Sequence, residues 1–218
     1  MTSWSRTAFL ASAFAFLLPQ WSQAEDAVRF APLTPEQLTP AQKQFADDMA
    51  KPPRAGNINN APFKVYIRSP DFGLHAIAMS DYLRWGTSLS PELTELTILI
   101  AARQWSSGYI WHAHYALAEK AGMDRAIPTA IAAGKRPGSM SPDEALIYDL
   151  VTQIYRDHNI SDATYNAALA KYGEKGVVDI IGLASYYGIT AMSLIAAKAT
   201  YPVGNEPKLE NLAQLFPN

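Results

Sequence analysis

The chain has 218 residues, 49% hydrophobic and 11% aromatic, with a formal net charge of −2 and no cysteine. That length suits one domain with a sizeable core, and the near-neutral balance leaves no electrostatic footprint for nucleic acid or an anionic membrane. The missing cysteine excludes disulfides, thiol peroxidase, thiol hydrolase and thiolate–metal chemistry, so packing or oligomerisation must carry stability.

Residues 1–24, MTSWSRTAFLASAFAFLLPQWSQA, read as a secretory signal peptide. Arg6 precedes an apolar run from Ala8 to Leu18, Pro19 breaks the run, and Ser22-Gln23-Ala24 offers small residues where a signal peptidase reads. The run is shorter than the roughly 20 residues of a spanning helix. An uncleaved anchor and an ordinary first helix fit less well. No later stretch reads as a membrane span, so the mature protein is expected to be soluble, without membrane contact, and periplasmic or secreted.

Residues 25–68 are rich in proline and asparagine and read as an extended arm, wrapping a core or a neighbouring subunit. Within it, Thr39 as N-cap and Pro40 at the first helical position predict one short helix over TPAQKQFADDMA. From Ser69 to about residue 200 the apolar period is helical. SPDFGLHAIAMSDYLRWG opens on Ser69-Pro70 and stops at Gly86; SPELTELTILIAARQWSSG opens on Ser90-Pro91-Glu92 and stops at Gly108. YIWHAHYALAEKAG follows as a helix to Gly122, and DRAIPTAIAAGKRPG as a helical turn and loop. The Ser-Pro-acid opening recurs at Ser141, and Ser161 caps SDATYNAALAKYG. GVVDIIGLASYYGITAMSLIAAKAT is apolar on nearly all sides and is therefore expected to be the central helix. Residues 201–218 read as a tail. No strand pattern emerges, so the fold class is all-α, a compact multi-helix domain over 69–200.

The chemistry concentrates at WHAH, where His112 and His114 stand one residue apart. On a helix, successive residues turn by about 100°, which points these two rings to opposite sides. They cannot share one ion, and no carboxylate completes a set such as H-E-x-x-H, so no metal and no cofactor is expected. Taken alone, His114 is either a hydrogen-bonded core residue or an acid/base catalyst. Glu95 is either a solvated carboxylate or ion-pair partner, or the carboxylate that orients the His114 imidazole. Arg103 either holds a substrate carboxylate in its fork of donors or ties two helices together. Ser107 is a candidate donor to substrate, not a nucleophile, since G-x-S-x-G is absent. Trp105, Tyr109 and Trp111 offer an aromatic wall for a flat or apolar ligand, and Tyr186 or Tyr187 a hydroxyl donor from the last helix.

The segment ELTILIAARQWSSGYIWHAHYALAEKAG resembles the carboxymuconolactone decarboxylase-like superfamily, which includes alkylhydroperoxidase D. In the peroxidase branch the pattern is E-x11-C-x2-C-x3-H; read from Glu95 it falls on Ser107, Ile110 and His114, without either cysteine. A cysteine-free branch carries Y-E-W-x-x-H, which Tyr109 to His114 resembles with Ile110 in place of the glutamate. The likeness extends over most of 70–200. It implies paired helices around a buried pocket, a homo-oligomer, and metal-free acid/base chemistry of decarboxylase, lyase or isomerase type on a small, aromatic-derived acid or lactone. His114 would move the proton and Glu95 position it; Tyr109, Trp111, Arg103, Ser107 and Tyr187 would shape or anchor the substrate. The alternative is a non-catalytic protein of the same fold that sequesters a small ligand.

Overall fold

The computed structural model describes residues 29–209, and the expected leader of residues 1–24 lies outside that range, as does the end of the tail. The described residues form eight α-helices with no strand among them. They are α1 (Pro40–Ala50), α2 (Phe63–Tyr66), α3 (Pro70–Asp81), α4 (Pro91–Gln104), α5 (Gly108–Lys120), α6 (Ala126–Ala132), α7 (Pro142–Asp157) and α8 (Asp162–Ala196).

The local signals act as the sequence requires. Thr39, Ser90, Ser141 and Ser161 each accept a hydrogen bond from the backbone N–H three residues on, with proline following the first three caps. Ser141 and Glu144 close a reciprocal capping box. The last turn of the third helical segment widens, so that Tyr82–Gly86 is a π-helical turn continuing α3. Such turns re-aim side chains and recur at functional sites; here it carries Arg84 inward.

The helix at the centre is α4, not α8. Every residue from Leu93 to Arg103 is buried, because α5, α6, α7 and α8 all pack on α4. Its polar side chains are accommodated locally, as where Thr97 Oγ1 donates to the Leu93 carbonyl. The expectation that α8 would be central is corrected: its outer side leaves Val178 65% and Ile195 59% exposed. The expectation that no later stretch could span a bilayer is corrected too. Helix α8 is long and apolar enough by composition, but 56% of its apolar window is buried against its own domain, as in an internal helix.

The two helical segments expected over 161–200 are one element, Asp162–Ala196, broken at Gly173, which sits at φ 66° and ψ 174°. That region of backbone space is open to glycine almost alone.

The arm packs on its own chain. Phe45, Met49, Tyr66 and Ile67 are core residues, and Gln42 donates to the Ile67 carbonyl. Asn59 exchanges two hydrogen bonds with Leu33, and Arg29 reaches the Ala196 carbonyl. At the other terminus, residues 201–209 run across the outside of α5. Trp111 Nε1 donates to the Pro207 carbonyl, and His112 Nδ1 meets Glu206 Oε1 at 3.0 Å.

Gly173→Ala should cost about 1–3 kcal/mol, because a side chain strains this backbone conformation even though the space around it is open. Gly138→Ala, at an open position without positive φ, should be near neutral. Urea denaturation of the two variants checks the difference.

Candidate active site

Three helices deliver one chain of hydrogen bonds. Helices α4 and α5 form a hairpin through Trp105-Ser106-Ser107, which sets Glu95 on the first opposite His114 on the second. His114 Nδ1 lies 2.6 Å from Glu95 Oε2, and its Nε2 lies 3.1 Å from the hydroxyl of Tyr187 on α8. The Tyr187 ring stands edge-on to the imidazole, with centroids 5.0 Å apart. All three residues are more than nine-tenths buried.

The partners fix the protons. A carboxylate only accepts, so Nδ1 carries the hydrogen and donates it to Glu95. Nε2 of the neutral ring is then an acceptor and takes the Tyr187 hydroxyl hydrogen. Burial pushes the Tyr187 phenol far above the ordinary tyrosine range, with the Arg84 guanidinium the chief opposing influence. Tyr187 therefore enters as an O–H group, not a phenolate.

A cavity of about 220 Å³ opens beside this chain. Tyr109, Ile110, Ala113 and His114 of α5 form one wall and Tyr186, Tyr187 and Thr190 of α8 another. The remaining wall comes from Ser80 and Arg84 on the α3 segment and from Arg54 and residues 60–63 of the arm. Arg84 Nη2 is 3.9 Å from Glu95 Oε1, the carboxylate oxygen that His114 leaves free. Arg54 donates to Asp81 and to the Ile77 carbonyl.

Of the residues singled out from the sequence, Glu95, His114, Tyr187 and Tyr109 come together here. Three do not. Trp111 was expected to shape the pocket, but it lies behind α5. The cavity face is built from the rows 109/113 and 110/114, and residue 111 falls about 130° round from the middle of that face at about 100° per residue. The tail covers it there. Arg103 was expected to anchor substrate, but eight residues from Glu95 it lies about 12 Å along the helix and about 80° round. It is fully buried and donates from Nε to the Ile131 carbonyl, tying α4 to α6. Ser107 lines a separate cavity on the far side of Tyr109, with Leu194 and Tyr201.

The residues that the sequence did not flag are Arg54 and Arg84. Arg84 follows Ser80 by four positions, a spacing that shares a helix face, but only the π turn reveals that this face meets the cavity. Arg54 sits in an aperiodic proline-rich segment and carries no signal at all. Among the described residues, no three of the His, Asp and Glu side chains converge as a metal site would need.

No family model matches the chain, and no curated protein or solved structure is significantly similar to it.

The tautomer is directly checkable. In long-range proton–nitrogen spectra of the neutral protein, His114 Nδ1 should carry the hydrogen and Nε2 should resonate as an unprotonated nitrogen. Glu95→Gln should shift the population towards the other tautomer, whereas Tyr187→Phe should leave Nδ1 protonated. A wild-type ring protonated at Nε2 alone would contradict the assignment.

Proposed function

We propose that the protein is an exported enzyme of the carboxymuconolactone decarboxylase-like superfamily, in its cysteine-free branch. In this reading it uses metal-free acid/base chemistry of decarboxylase, lyase or isomerase type on a small acid or lactone. The observation that carries the catalytic reading is the Glu95–His114–Tyr187 chain at the wall of a cavity. A buried imidazole with one nitrogen held by a carboxylate and the other accepting from a tyrosine hydroxyl at a cavity wall has the arrangement of a general-base relay.

The proton path follows from the hydrogen bonds. As Tyr187 Oη takes a proton from the substrate, its own hydrogen passes to His114 Nε2. Glu95 retains its bond to Nδ1–H and faces the resulting imidazolium. The electron pair of the broken bond stays on the substrate, delocalised into its adjacent carbonyl. Return of the proton at another atom completes an isomerisation. Loss of carbon dioxide instead starts from the imidazolium and leaves a carbanion that takes its proton from Tyr187 Oη, which His114 Nε2–H then reprotonates.

Export rests on the leader of residues 1–24 alone. Homo-oligomer formation rests on the family resemblance and on the apolar side chains left outside on α3 and α8, among them Phe72, Met79, Val178, Met192 and Ile195. The second reading is ligand sequestration without turnover. Ile110, at the position of the motif glutamate, lines the cavity and leaves that wall without a second carboxylate.

His114→Gln should lower turnover by about 10²–10⁴-fold while the protein stays folded and keeps its oligomeric state, and Tyr187→Phe should be similarly defective. The assay is mass spectrometry of a panel of aromatic acids and lactones after incubation with the protein. Loss of carbon dioxide marks decarboxylation, and an unchanged mass at a new retention time marks isomerisation. A ligand that copurifies and survives incubation unaltered would favour sequestration.

A further inference from the structure

The proline-rich arm does more than cover the core: it places a cation in the cavity. Arg54 reaches the wall from residues 51–56 and its side chain is 6% exposed. Arg84 arrives from the π turn with its side chain 20% exposed. Both side chains lie against the Trp85 ring, at 5.7 Å and 4.5 Å from its centroid, and Arg54 also faces Phe63. The aromatic surfaces hold the two guanidiniums in place, as stacked arginines commonly are.

Neither is fully matched by the protein. The Nε of each is buried without a hydrogen-bond partner. Arg54 keeps a direct hydrogen bond from Nη2 to Asp81, whose side chain is 41% exposed, so solvent screens that pairing from the carboxylate side. The nearest carboxylate oxygen to Arg84 is 3.9 Å away, too far for a hydrogen bond, and belongs to Glu95. Glu95 is already committed to His114 at 2.6 Å. When the ring takes up a proton, one carboxylate must serve both His114 and Arg84. A negative charge in the cavity would restore the balance, and two forked donors suit a planar oxyanion group.

We propose that the cavity binds a small monoanionic ligand whose planar oxyanion group is clamped by Arg84 and by Arg54 of the arm, so that the arm is a working part of the site. The proposal rests on the acid/base reading of the same cavity for what happens to the ligand, but not for its binding. Arg54 and Arg84 are binding residues here; they hold the anion while the tyrosine hydroxyl reaches the reacting atom.

The test uses the full chain and two non-reacting probes, benzoate and its neutral isostere benzamide, titrated by calorimetry. Benzoate should bind at least about tenfold more tightly than benzamide, the scale of one charge-assisted hydrogen bond. Arg84→Gln and Arg54→Gln should each lose about tenfold in benzoate affinity and leave benzamide unchanged, a selectivity that general loosening of the fold would not produce. Arg84→Lys and Arg54→Lys keep the charge, should retain part of the preference, and replace the glutamine variants if those fail to fold. Equal affinity for the two probes, no benzoate binding, or benzoate affinity indifferent to both positions would overturn the proposal. Because the probes do not react, unchanged turnover in His114→Gln would sink the acid/base reading and leave this result standing.

Discussion

The bond between Glu95 and His114 is the constraint around which the rest of the site is arranged. It puts a carboxylate on α4, the most enclosed helix of the molecule, where a charge without a partner would be intolerable. Leaving a buried carboxylate without its hydrogen-bond donor costs at least about 1–3 kcal/mol, so both members have to be held well. The α4–α5 hairpin holds them. It fixes the two helices side by side, and the short distance of 2.6 Å across it leaves the ring a single orientation. From that orientation everything else follows: one nitrogen faces Glu95, the other faces α8, and Tyr187 is the residue α8 presents there.

The outer layers then decide what reaches the tyrosine. Helix α8 closes one side with its buried face, and the arm closes another. The arm is bound to the body through side chains that pack as core, Phe45 and Tyr66 among them, and through Arg54 to α3. It therefore behaves as part of the wall and not as a loose cover. The tail does the same on the opposite side of α5, where it takes the hydrogen of Trp111 and pairs with His112. The two histidines that stand one residue apart thus have separate tasks: His112 holds the tail, and His114 faces the cavity. Helical geometry alone required that separation.

Much of this was legible in the sequence because it depends on local chemistry. Ser-Pro-acid openings fixed the starts of α4 and α7, and a glycine at 173 marked the break within α8, since each acts through its own backbone. The residues alone left the role of Glu95 open, and only the family resemblance favoured its pairing with His114. What was not legible depends on which neighbour a helix face meets. Trp111 falls outside the wall because nearness in sequence does not put side chains on one face, and the cavity follows the 109/113 and 110/114 rows. Helix α8 is apolar all round by composition, but apolar surface in excess of what the fold buries stays outside. Arg54 was invisible for the opposite reason. A cation in an aperiodic loop gains its meaning only from the helix that the loop crosses, and here that helix is the π-wound end of α3.

The hydrogen-bond directions also bear on the order of events in the proposed reaction. In the resting tautomer the Tyr187 hydrogen is committed to His114 Nε2, and Nε2 has no hydrogen to give back. The relay is then set to receive a proton before it can donate one. An isomerisation or elimination begins with proton removal, so it can start from this neutral state and regenerate it. A decarboxylation needs its proton last: if Tyr187 gave up its hydrogen from the neutral relay, a buried phenolate would remain beside an imidazole unable to reprotonate it. The burial that holds the Tyr187 phenol so far above its ordinary range makes that state costly. Decarboxylation at this site therefore requires the imidazolium from the outset, with Glu95 and a bound anion facing the ring and Arg84. The same three residues can serve either reaction, and the protonation state of His114 at the start decides between them.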